Sequence, residues 1–414
     1  MSQPIVFKYA KIFDGDAAVL QAGQMVRVEE GVIAQVGPQV NVADADVYDC
    51  GGRVLMPGLI DAHVHLYAAS LNVGRLAQMP MSYLTVFALG SLRASLDRGF
   101  TTLRDVGGAD VGLASALREG WAGLVPRLFY GGRVISQTGG HGDFRPGDHQ
   151  LDGHVPCGCA AYSDAMSVIA DGADAVRRAV REELRRGASH IKVMASGGVV
   201  SPTDPLERCQ YSDEEIRAAV EEAERAGAYV ATHCHPAEAV RRSAALGVRS
   251  IEHATLVDAP TADFVAERGA FAVPTMATVA GLVEEGAALG LPAASLDKLH
   301  RIADRAQDSL AILKAAGVRM AFGTDLLGRL QDRQCTEFTL RAQSLPTLDI
   351  LRSATSVGAE LMGQAGHLGC IRPGAAADLL VVNGNPLTDI SLLARSGAGL
   401  AVILAQGQFH KRTP

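Results

Sequence analysis

The sequence predicts an α/β protein: a (β/α)8 TIM barrel with a small β-sandwich domain formed by both termini. Three observations support this fold class. Eight β-type runs alternate with helical segments in the middle of the chain, both ends are rich in short β-type runs, and polar side chains recur at the ends of the middle runs. Eight parallel strands with intervening helices close naturally into a barrel, whose active site lies at the carboxyl ends of the strands.

The two ends of the 414-residue chain carry short apolar runs separated by glycine turns. The first run is PIVFKYAKIFDG and the last is GLAVILAQGQFH. Ends rich in β-type runs around a different middle predict one small β domain built from both termini. The predicted boundaries are 1–56 for the first part of the sandwich, 57–366 for the barrel and 367–414 for the second part of the sandwich.

Eight runs in the middle of the chain are predicted to be the barrel strands. In chain order they are LIDAHVH, TTLRDVG, RLFYGGRV, HIKVMAS, YVATHC, SIEHA, FAVPTM and RMAFGTD. An open doubly wound sheet is the structural alternative. It is disfavoured because the dinucleotide-binding pattern G-x-G-x-x-G does not follow an early strand.

The helices between these runs have clear start and stop signals. Ser212 with Glu215 three residues later forms a capping box, and Gly227 ends the same helix. Further helices are predicted to end at Gly247, at Gly269 and at Gly317. The middle of the chain is therefore predicted to alternate strand and helix.

The connection from 135 to 173 is unusually long and is rich in glycine, histidine and aspartate. Loops of this length are usually functional or disordered, and this one follows a strand, which places it at the predicted active-site face. It contains Cys157 and Cys159, which could bind a metal, although no second cysteine pair stands nearby to complete such a site. The seven cysteines form no regular framework and are interpreted as reduced thiols.

The composition narrows the class of partner. The formal net charge is −7, which gives no electrostatic footprint for nucleic acid. The longest apolar runs, such as LAVILA at 400–405, are far too short to span a membrane. The first residues lack the basic and apolar regions of a signal peptide. We therefore expect a cytoplasmic protein whose partner is a small-molecule substrate, with no nucleic acid and no membrane.

Metal-compatible side chains recur at the ends of the predicted strands. His63 and His65 lie two residues apart in PGLIDAHVHL, so in a strand both would face the same space. Four more strands carry such a group: the residues are Lys192, His233, His253 and Asp325. In a barrel, these positions meet at one face.

Each of these residues also has an ordinary structural interpretation. A lone histidine in a strand is often a hydrogen-bonded core residue, and an aspartate after Gly-Thr is often a turn or helix cap. Lys192 lies in an apolar strand where a free ammonium would be costly to bury, but it could pair with Asp105. All these interpretations would have to hold together, and a shared metal site explains the six residues at once.

Four histidines, one lysine and one aspartate are the ligands of a two-metal site bridged by a carbamylated lysine. CO₂ adds to the neutral amine of Lys192 and makes it a carboxylate that can bridge two cations. His63, His65 and Asp325 would hold one ion, and His233 and His253 would hold the other. Zinc is the default metal for imidazole-rich sites, although other divalent ions fit.

The chain resembles the amidohydrolase superfamily, and within it the imidazolonepropionase-like branch of Xaa-Pro dipeptidases and carboxypeptidases, which includes ochratoxin-hydrolysing amidohydrolases. The motifs that carry the resemblance are PGLIDAHVHL, TGGHGD, HIKVMASGGVVSP, VATHCH, SIEHA, FGTD and the tail IRPGAAADLLVVNGNPLTDI. They span essentially the whole chain. HIKVMASGG is the most specific, because it separates this branch from deaminases.

The resemblance implies two metals, usually zinc, bridged by the carbamylated lysine and a hydroxide that attacks the substrate. It implies hydrolysis of an amide bond to a C-terminal residue, in a dipeptide, an N-acyl amino acid or a xenobiotic amide such as ochratoxin A. It also implies a homo-oligomer, for instance an octamer. The sequence departs from some relatives at His235, where they have tyrosine, and this difference bears on substrate choice.

The expected reaction assigns roles to three residues. Asp325 takes a proton from the attacking water and returns it to the leaving amine. His141, flanked by glycines in TGGHGD, and His235 are candidates for binding the substrate carboxylate. The ordinary alternatives are that His141 hydrogen-bonds within its own loop and that His235 pairs with a neighbouring acid.

Two other functions remain open. A mononuclear deaminase or cyclic-amide hydrolase on the same fold needs one metal and usually has the pattern H-x-x-E at the fifth strand. Here Pro236 stands where that glutamate would be, and Lys192 would have no role. A metal-free structural or assembly relative should have lost several ligands, yet every expected ligand is present.

Overall fold

The structure, a computed structural model, describes residues 3–76, 78–145, 166–201 and 204–414. Cys157 and Cys159 lie outside these residues. The strands are β1 Ile5–Ile12, β2 Gln21–Glu29, β3 Val32–Gly37, β4 Asp46–Asp49, β5 Val54–Pro57, β6 Leu59–Val64, β7 Phe100–Asp105, β8 Arg127–Tyr130, β9 Val134–Ser136, β10 Ser167–Ile169, β11 Ile191–Met194, β12 Val230–Pro236, β13 Ser250–Leu256, β14 Phe271–Val273, β15 Arg319–Met320, β16 Leu379–Val382, β17 Leu400–Ala405 and β18 Gln408–Arg412.

Helices occupy most of the connections between the strands of the middle. They are α1 Val73–Leu76, α2 Met81–Asp97, α3 Val111–Arg118, α4 Ala173–Arg185, α5 Asp213–Arg225, α6 Ala237–Ala245, α7 Ala259–Glu267, α8 Met276–Glu285, α9 Ala293–Ala315, α10 Thr336–Arg341, α11 Thr347–Ser353 and α12 Ser356–Leu361, with 3₁₀ turns at Gly328–Arg333 and Ile390–Leu392. In the described part of the chain, no helix is both long and apolar enough to cross a membrane.

Strands from both termini share one mixed sheet. Its order is β18-β17-β16-β5-β1-β2-β3, and β4 pairs with β1. The central contact joins the two ends of the chain, because β16 pairs antiparallel with β5 and Leu379 lies opposite Pro57. The alternating side chains of these strands bury an apolar core of their own, which includes Phe7, Val26 and Leu404. The two termini thus fold together.

The middle of the chain is an α/β arrangement with two parallel sheets. One has the order β10-β9-β11-β12-β13-β14-β15 and the other β6-β7-β8. Among the described residues, the strands of the two sheets do not pair with each other, but backbone hydrogen bonds join β6 to the segment after β15, from Ala62 N to Phe322 O at 2.7 Å, and β8 to the segment before β11, from Ser189 N to Tyr130 O at 2.9 Å. Each predicted strand run overlaps at least one of these strands.

Two details of the parallel sheets differ from the sequence prediction. The run RLFYGGRV was predicted as one strand, but it divides into β8 and β9 around Gly131 and Gly132. Gly132 has a φ of +70°, which breaks the extended backbone. The long connection from 135 to 173 also contains the short strand β10, which pairs in parallel with β9. Three residues are too few to give a readable sequence period.

The helix boundaries follow the predicted signals. Ser212 caps α5, its side chain accepts from Glu215 N, and the Glu215 side chain accepts from Ser212 N in return. Helices α6, α7 and α9 are followed by Gly247, Gly269 and Gly317, all with positive φ. Left-handed backbone at these positions turns the chain back toward the next strand.

One residue separates the terminal sheet from the first strand of the middle. Gly58 lies between β5 and β6, and a Cβ at this position would stand 2.1 Å from the Thr101 Oγ1. The chain can therefore pass directly from one sheet to the other only with glycine here. As a result, the strand that ends near His63 is anchored through β5 to the terminal sheet.

Candidate metal centre

The carboxyl end of β6 and the segment after β15 form a first group of metal-compatible atoms. His63 lies in β6, His65 follows its last residue, and Asp325 follows β15. The Asp325 Oδ1 lies 3.3 Å from His63 Nε2 and 3.2 Å from His65 Nε2. One ligand atom from each of the three lies within 4.8 Å of the others. The backbone holds the group together, since Asp325 N donates to His63 O at 2.8 Å.

A second group stands beside the first, on β11, β12 and β13. The ring centroids of His233 and His253 are 4.5 Å apart, and His253 lies 5.0 Å from the ring of His63. Together the two groups line one cavity of about 90 Å³. The predicted site residues on its wall are His63, His65, His141, Lys192, His233, His253 and Asp325.

The donor set at this cavity fits divalent metal ions. Imidazole nitrogens and a carboxylate are the usual ligands of zinc. The Nε2 atom of His63 is buried and makes no hydrogen bond to any described residue, although it faces Asp325. A buried ring nitrogen without a hydrogen-bond partner is costly in a metal-free site and is satisfied by coordination.

Lys192 does not form the ion pair that would explain it structurally. Asp105, its candidate partner, instead accepts hydrogen bonds from the backbone N atoms of Leu66, Gly107 and Ala109. No salt bridge joins Lys192 to a carboxylate within the described ranges. Burial lowers the pKa of Lys192, which favours the neutral amine that a carbamate requires.

Asp325 is held in its ionised form. Burial acts to raise the pKa of this carboxyl, but the neighbouring imidazoles of His63 and His65 outweigh burial and keep the pKa well below its usual range. Asp325 also has a φ of 53°, in the left-handed region. This strained backbone directs the carboxylate toward the histidines.

His141 lies beside the second group and close to an acid. Its ring stacks on that of His233 with centroids 4.3 Å apart, and its Nδ1 lies 3.3 Å from the Asp204 Oδ2. Gly198 lies flat against the ring, since a Cβ there would stand 2.3 Å from the His141 Cε1. The contacts of His141 thus extend beyond its own loop.

His235 is not among the residues that line the cavity. Its ring stacks on that of His253 at 5.0 Å, and its Nδ1 lies 3.1 Å from the Thr255 Oγ1. This partner is a hydroxyl, whereas the sequence alternative was a neighbouring acid. Burial, together with the charge of His141, lowers the pKa of His235 to about 3. His235 is therefore neutral near pH 7 and could offer a substrate only a neutral hydrogen bond.

Three buried polar residues near the ligands were not identified from the sequence as site residues. Glu252 accepts from His63 Nδ1 at 2.7 Å and pairs with Arg104. Asp61 accepts from His63 N and from the Thr324 hydroxyl. The available signal was a charged residue inside an apolar strand run, in SIEHA, TTLRDVG and LIDAHVH.

Known proteins resemble this chain along nearly its whole length. Residues 54–407 match the amidohydrolase family. Ochratoxinase from Aspergillus niger is 32% identical over 395 residues, which are 92% of this chain and 81% of that protein. A prolidase solved with N-methylphosphonate-L-proline is 43% identical, with a TM-score of 0.94 over 99% of this chain and 100% of that chain. A Xaa-Pro dipeptidase solved with methionine in its active site is 27% identical, with a TM-score of 0.84 over the same shares.

Proposed function

This chain belongs to the amidohydrolase family and is a hydrolase of amide bonds, and from that premise we propose that it uses two divalent metal ions to cleave the amide bond before a C-terminal amino acid. The observation that carries the proposal is the convergence of four histidines, Lys192 and Asp325 on one cavity. This donor set matches two ions better than one, because it divides into two adjacent groups.

His63, His65 and Asp325 would hold the first ion, and His233 and His253 the second, with Lys192 carbamylated by CO₂ as the bridge. Zinc suits these nitrogen and oxygen ligands. When bound, two such ions lower the pKa of water toward neutrality and polarise a carbonyl oxygen. The proposed closed eight-stranded barrel would place both groups at one mouth, and it is supported by the backbone hydrogen bonds that join segments of the two parallel sheets.

The chain's own groups would move the proton. Asp325 is ionised and only partly buried, so its carboxylate can take a proton from the attacking water. The same carboxyl then donates the proton to the nitrogen of the leaving amine as the C–N bond breaks. One residue can therefore act as base and acid in turn.

The proposed substrate class is a dipeptide, an N-acyl amino acid or a larger amide such as ochratoxin A. The named activities of the relatives, ochratoxinase and prolidase, support it. Apolar side chains cover most of the rest of the cavity wall, among them Phe144, Met166 and Leu327. An apolar acyl group would bury its surface against them. We propose His141 as the main partner of the substrate carboxylate. His235 is the weaker candidate, because it is neutral and does not line the cavity.

A substrate screen tests the proposed reaction. Purified protein loaded with Zn²⁺ is given dipeptides and N-acyl amino acids that vary in the C-terminal residue, each also as the C-terminal amide. We expect release of the free amino acid from at least one acid substrate and weaker cleavage of its amidated partner. Release of ammonia from an amine or cyclic substrate, with one ion per chain, would favour the deaminase alternative, and zero ions with zero turnover would favour the assembly alternative.

The bridging role of Lys192 has its own test. Lys192→Ala removes the amine that would form the carbamate, so we expect loss of one ion per chain and of most activity. Elemental analysis after dialysis measures the ions, and added short carboxylates should restore a small part of the rate. A variant that keeps two ions and the full rate would contradict the carbamate. The homo-oligomer and the cytoplasmic location stay predictions.

A further inference from the structure

A buried ion pair lies directly behind His63. The Arg104 Nη2 donates to both carboxylate oxygens of Glu252, at 2.8 Å and 2.9 Å, and both side chains are fully buried. Arg104 also donates from Nε to Ala62 O, and the Ser250 hydroxyl donates to the same carboxylate. The acceptor atoms of Glu252 are thus fixed from several directions.

The carboxylate of Glu252 faces the ring of His63. Its Oε2 lies 2.7 Å from His63 Nδ1, so an ionised carboxylate there makes Nδ1 the protonated nitrogen. The lone pair is then on Nε2, the atom that faces Asp325 and makes no hydrogen bond to a described residue. The contact therefore selects both the tautomer and the orientation that coordination would need.

Two other proposed ligand histidines have neutral hydrogen-bond partners at Nδ1. His65 Nδ1 meets the carbonyl oxygen of Gly107 at 2.8 Å, and His253 Nδ1 meets the Thr275 hydroxyl at 2.8 Å. Among the proposed ligands, His63 is the histidine whose Nδ1 hydrogen-bonds a carboxylate. Charged hydrogen bonds are stronger and more directional than neutral ones.

The backbone around Glu252 is arranged for this contact. Consecutive residues of a strand normally face opposite sides. His253 has a φ of 72°, in the left-handed region, so Glu252 can contact His63 while the next side chain also lies beside the same ring, 5.0 Å away. Such backbone strain is retained where a side-chain position matters.

We propose that Glu252, held by Arg104, is a positioning residue that fixes the ring of His63 and thereby sets how tightly the first ion is bound. This inference rests on the proposed function, since it takes His63 as a ligand. The alternative is that the pair serves only the core. A fully buried ion pair is a poor source of stability compared with apolar residues of similar volume, which weakens that alternative.

Two double variants separate positioning from packing. Arg104→Met with Glu252→Gln removes both charges but keeps an oxygen that can accept from His63 Nδ1. Arg104→Met with Glu252→Leu removes the same charges and leaves no acceptor. Neither variant leaves an unpaired charge in the core, so we expect both to fold. Circular dichroism checks that they do. The measured quantity is the affinity for Zn²⁺ alone, titrated against a competing chelator into ion-free protein.

We expect the leucine variant to bind its tighter Zn²⁺ at least about 10-fold more weakly than the glutamine variant, the range for loss of a partner behind a ligand. Equal affinities in the two variants would overturn the proposal. If neither double variant folds, Glu252→Asp decides, because it keeps both charges and withdraws the oxygen from His63. Weaker Zn²⁺ binding by that variant supports the proposal, and unchanged binding overturns it.

A control shows whether any broken buried pair would have the same effect. Glu183 is buried and pairs with Arg133, away from the proposed ligands. Glu183→Gln should lower thermal stability without weakening Zn²⁺ binding, and equal weakening would assign the effect to the core and overturn the proposal. The wild-type protein distinguishes failure of this inference from failure of the proposed function. If the wild type binds two ions and hydrolyses an amide, while the two double variants bind Zn²⁺ with equal affinity, only this inference fails. If it binds no ion, the proposed function itself fails.

Discussion

Asp325 lies at the point where the first ligand group and the proposed proton transfer meet. Asp325→Asn keeps the shape and a ligand oxygen but cannot take a proton. We expect kcat to fall by about 10²–10⁴-fold, the usual contribution of a general base. Steady-state kinetics measure the change, and ion analysis shows whether both ions remain bound. A rate within a few-fold of wild type with both ions bound would rule out Asp325 as the proton carrier.

Gly198 offers a way to move His141 without changing it. In Gly198→Ala the new Cβ would overlap the His141 ring, with the ring Nε2 at 2.5 Å, so the ring must leave its present stacked position on His233. We expect kcat/KM to fall by about 100-fold if the ring contacts substrate, because small displacements of positioned groups have effects of that order.

The interpretation of that variant depends on a double-mutant cycle. If Gly198→Ala acts through His141, it should have little further effect when added to His141→Ala. Gly90→Ala is the matched control, since a Cβ at that helical glycine meets nothing within 4 Å. Independent losses that add in the double variant would assign Gly198 a role of its own.

At the residue scale, the candidate ligands could be named from the sequence, but the residues that hold them in position could not. Histidines, a lysine and an aspartate at the ends of strand-like runs could be named, and the structure brings them to one cavity. Their roles stay predictions. The contact of Gly198 with His141 joins two loops that are far apart in sequence, so the local sequence pattern does not predict it. Glu252 could have been suspected, because a charge inside SIEHA needs a buried partner.

At the element scale, helix α5 shows how much one capping residue contributes to stability. Ser212→Ala removes the acceptor for Glu215 N at the start of α5. We expect the free energy of unfolding to fall by about 1 kcal/mol, the typical loss of a side-chain cap, with kcat unchanged. Urea denaturation measures the shift in midpoint. Ser212→Asn keeps a capping oxygen without adding a charge beside the Glu215 carboxylate and should stay near wild type. Equal destabilisation by both changes would show that the cap is not the cause.

The elements that sequence predicted well are those with strong local chemistry. Capping residues and terminal glycines marked the ends of several helices, because they satisfy backbone groups in a way that few residues can. The division of the third strand run and the three-residue β10 were missed. Both depend on pairing with β9 or β11 through space, and a strand of three residues buries too few side chains to impose a period.

At the scale of the whole molecule, the proposed ions would join distant parts of the chain. Their ligands lie on β6, β11, β12 and β13 and after β15, so both parallel sheets contribute. Removal of the ions with a chelator should lower the unfolding temperature, and Zn²⁺ should restore it, because a ligand at 1,000 times its Kd stabilises the folded state by about 4 kcal/mol. Differential scanning fluorimetry measures the shift.

The matched control for ion removal is a variant without the first ligand pair, His63→Asn with His65→Asn. Its unfolding temperature should respond less to the chelator than that of the wild type. An identical response in both proteins would place the stabilising ion outside the proposed site.

The pairing of β16 with β5 also governs how the chain can fold as it is made. Leu379 lies opposite Pro57, so β5 leaves the ribosome about 320 residues before its partner. At about 5–20 residues per second, the wait is roughly 16–64 s. During this time the four apolar residues of β5, all buried in the finished fold, have an unpaired edge. Until β16 is made, this edge of the nascent chain is open to pairing with strands other than its own partner, and the strand beside His63 lacks its anchor.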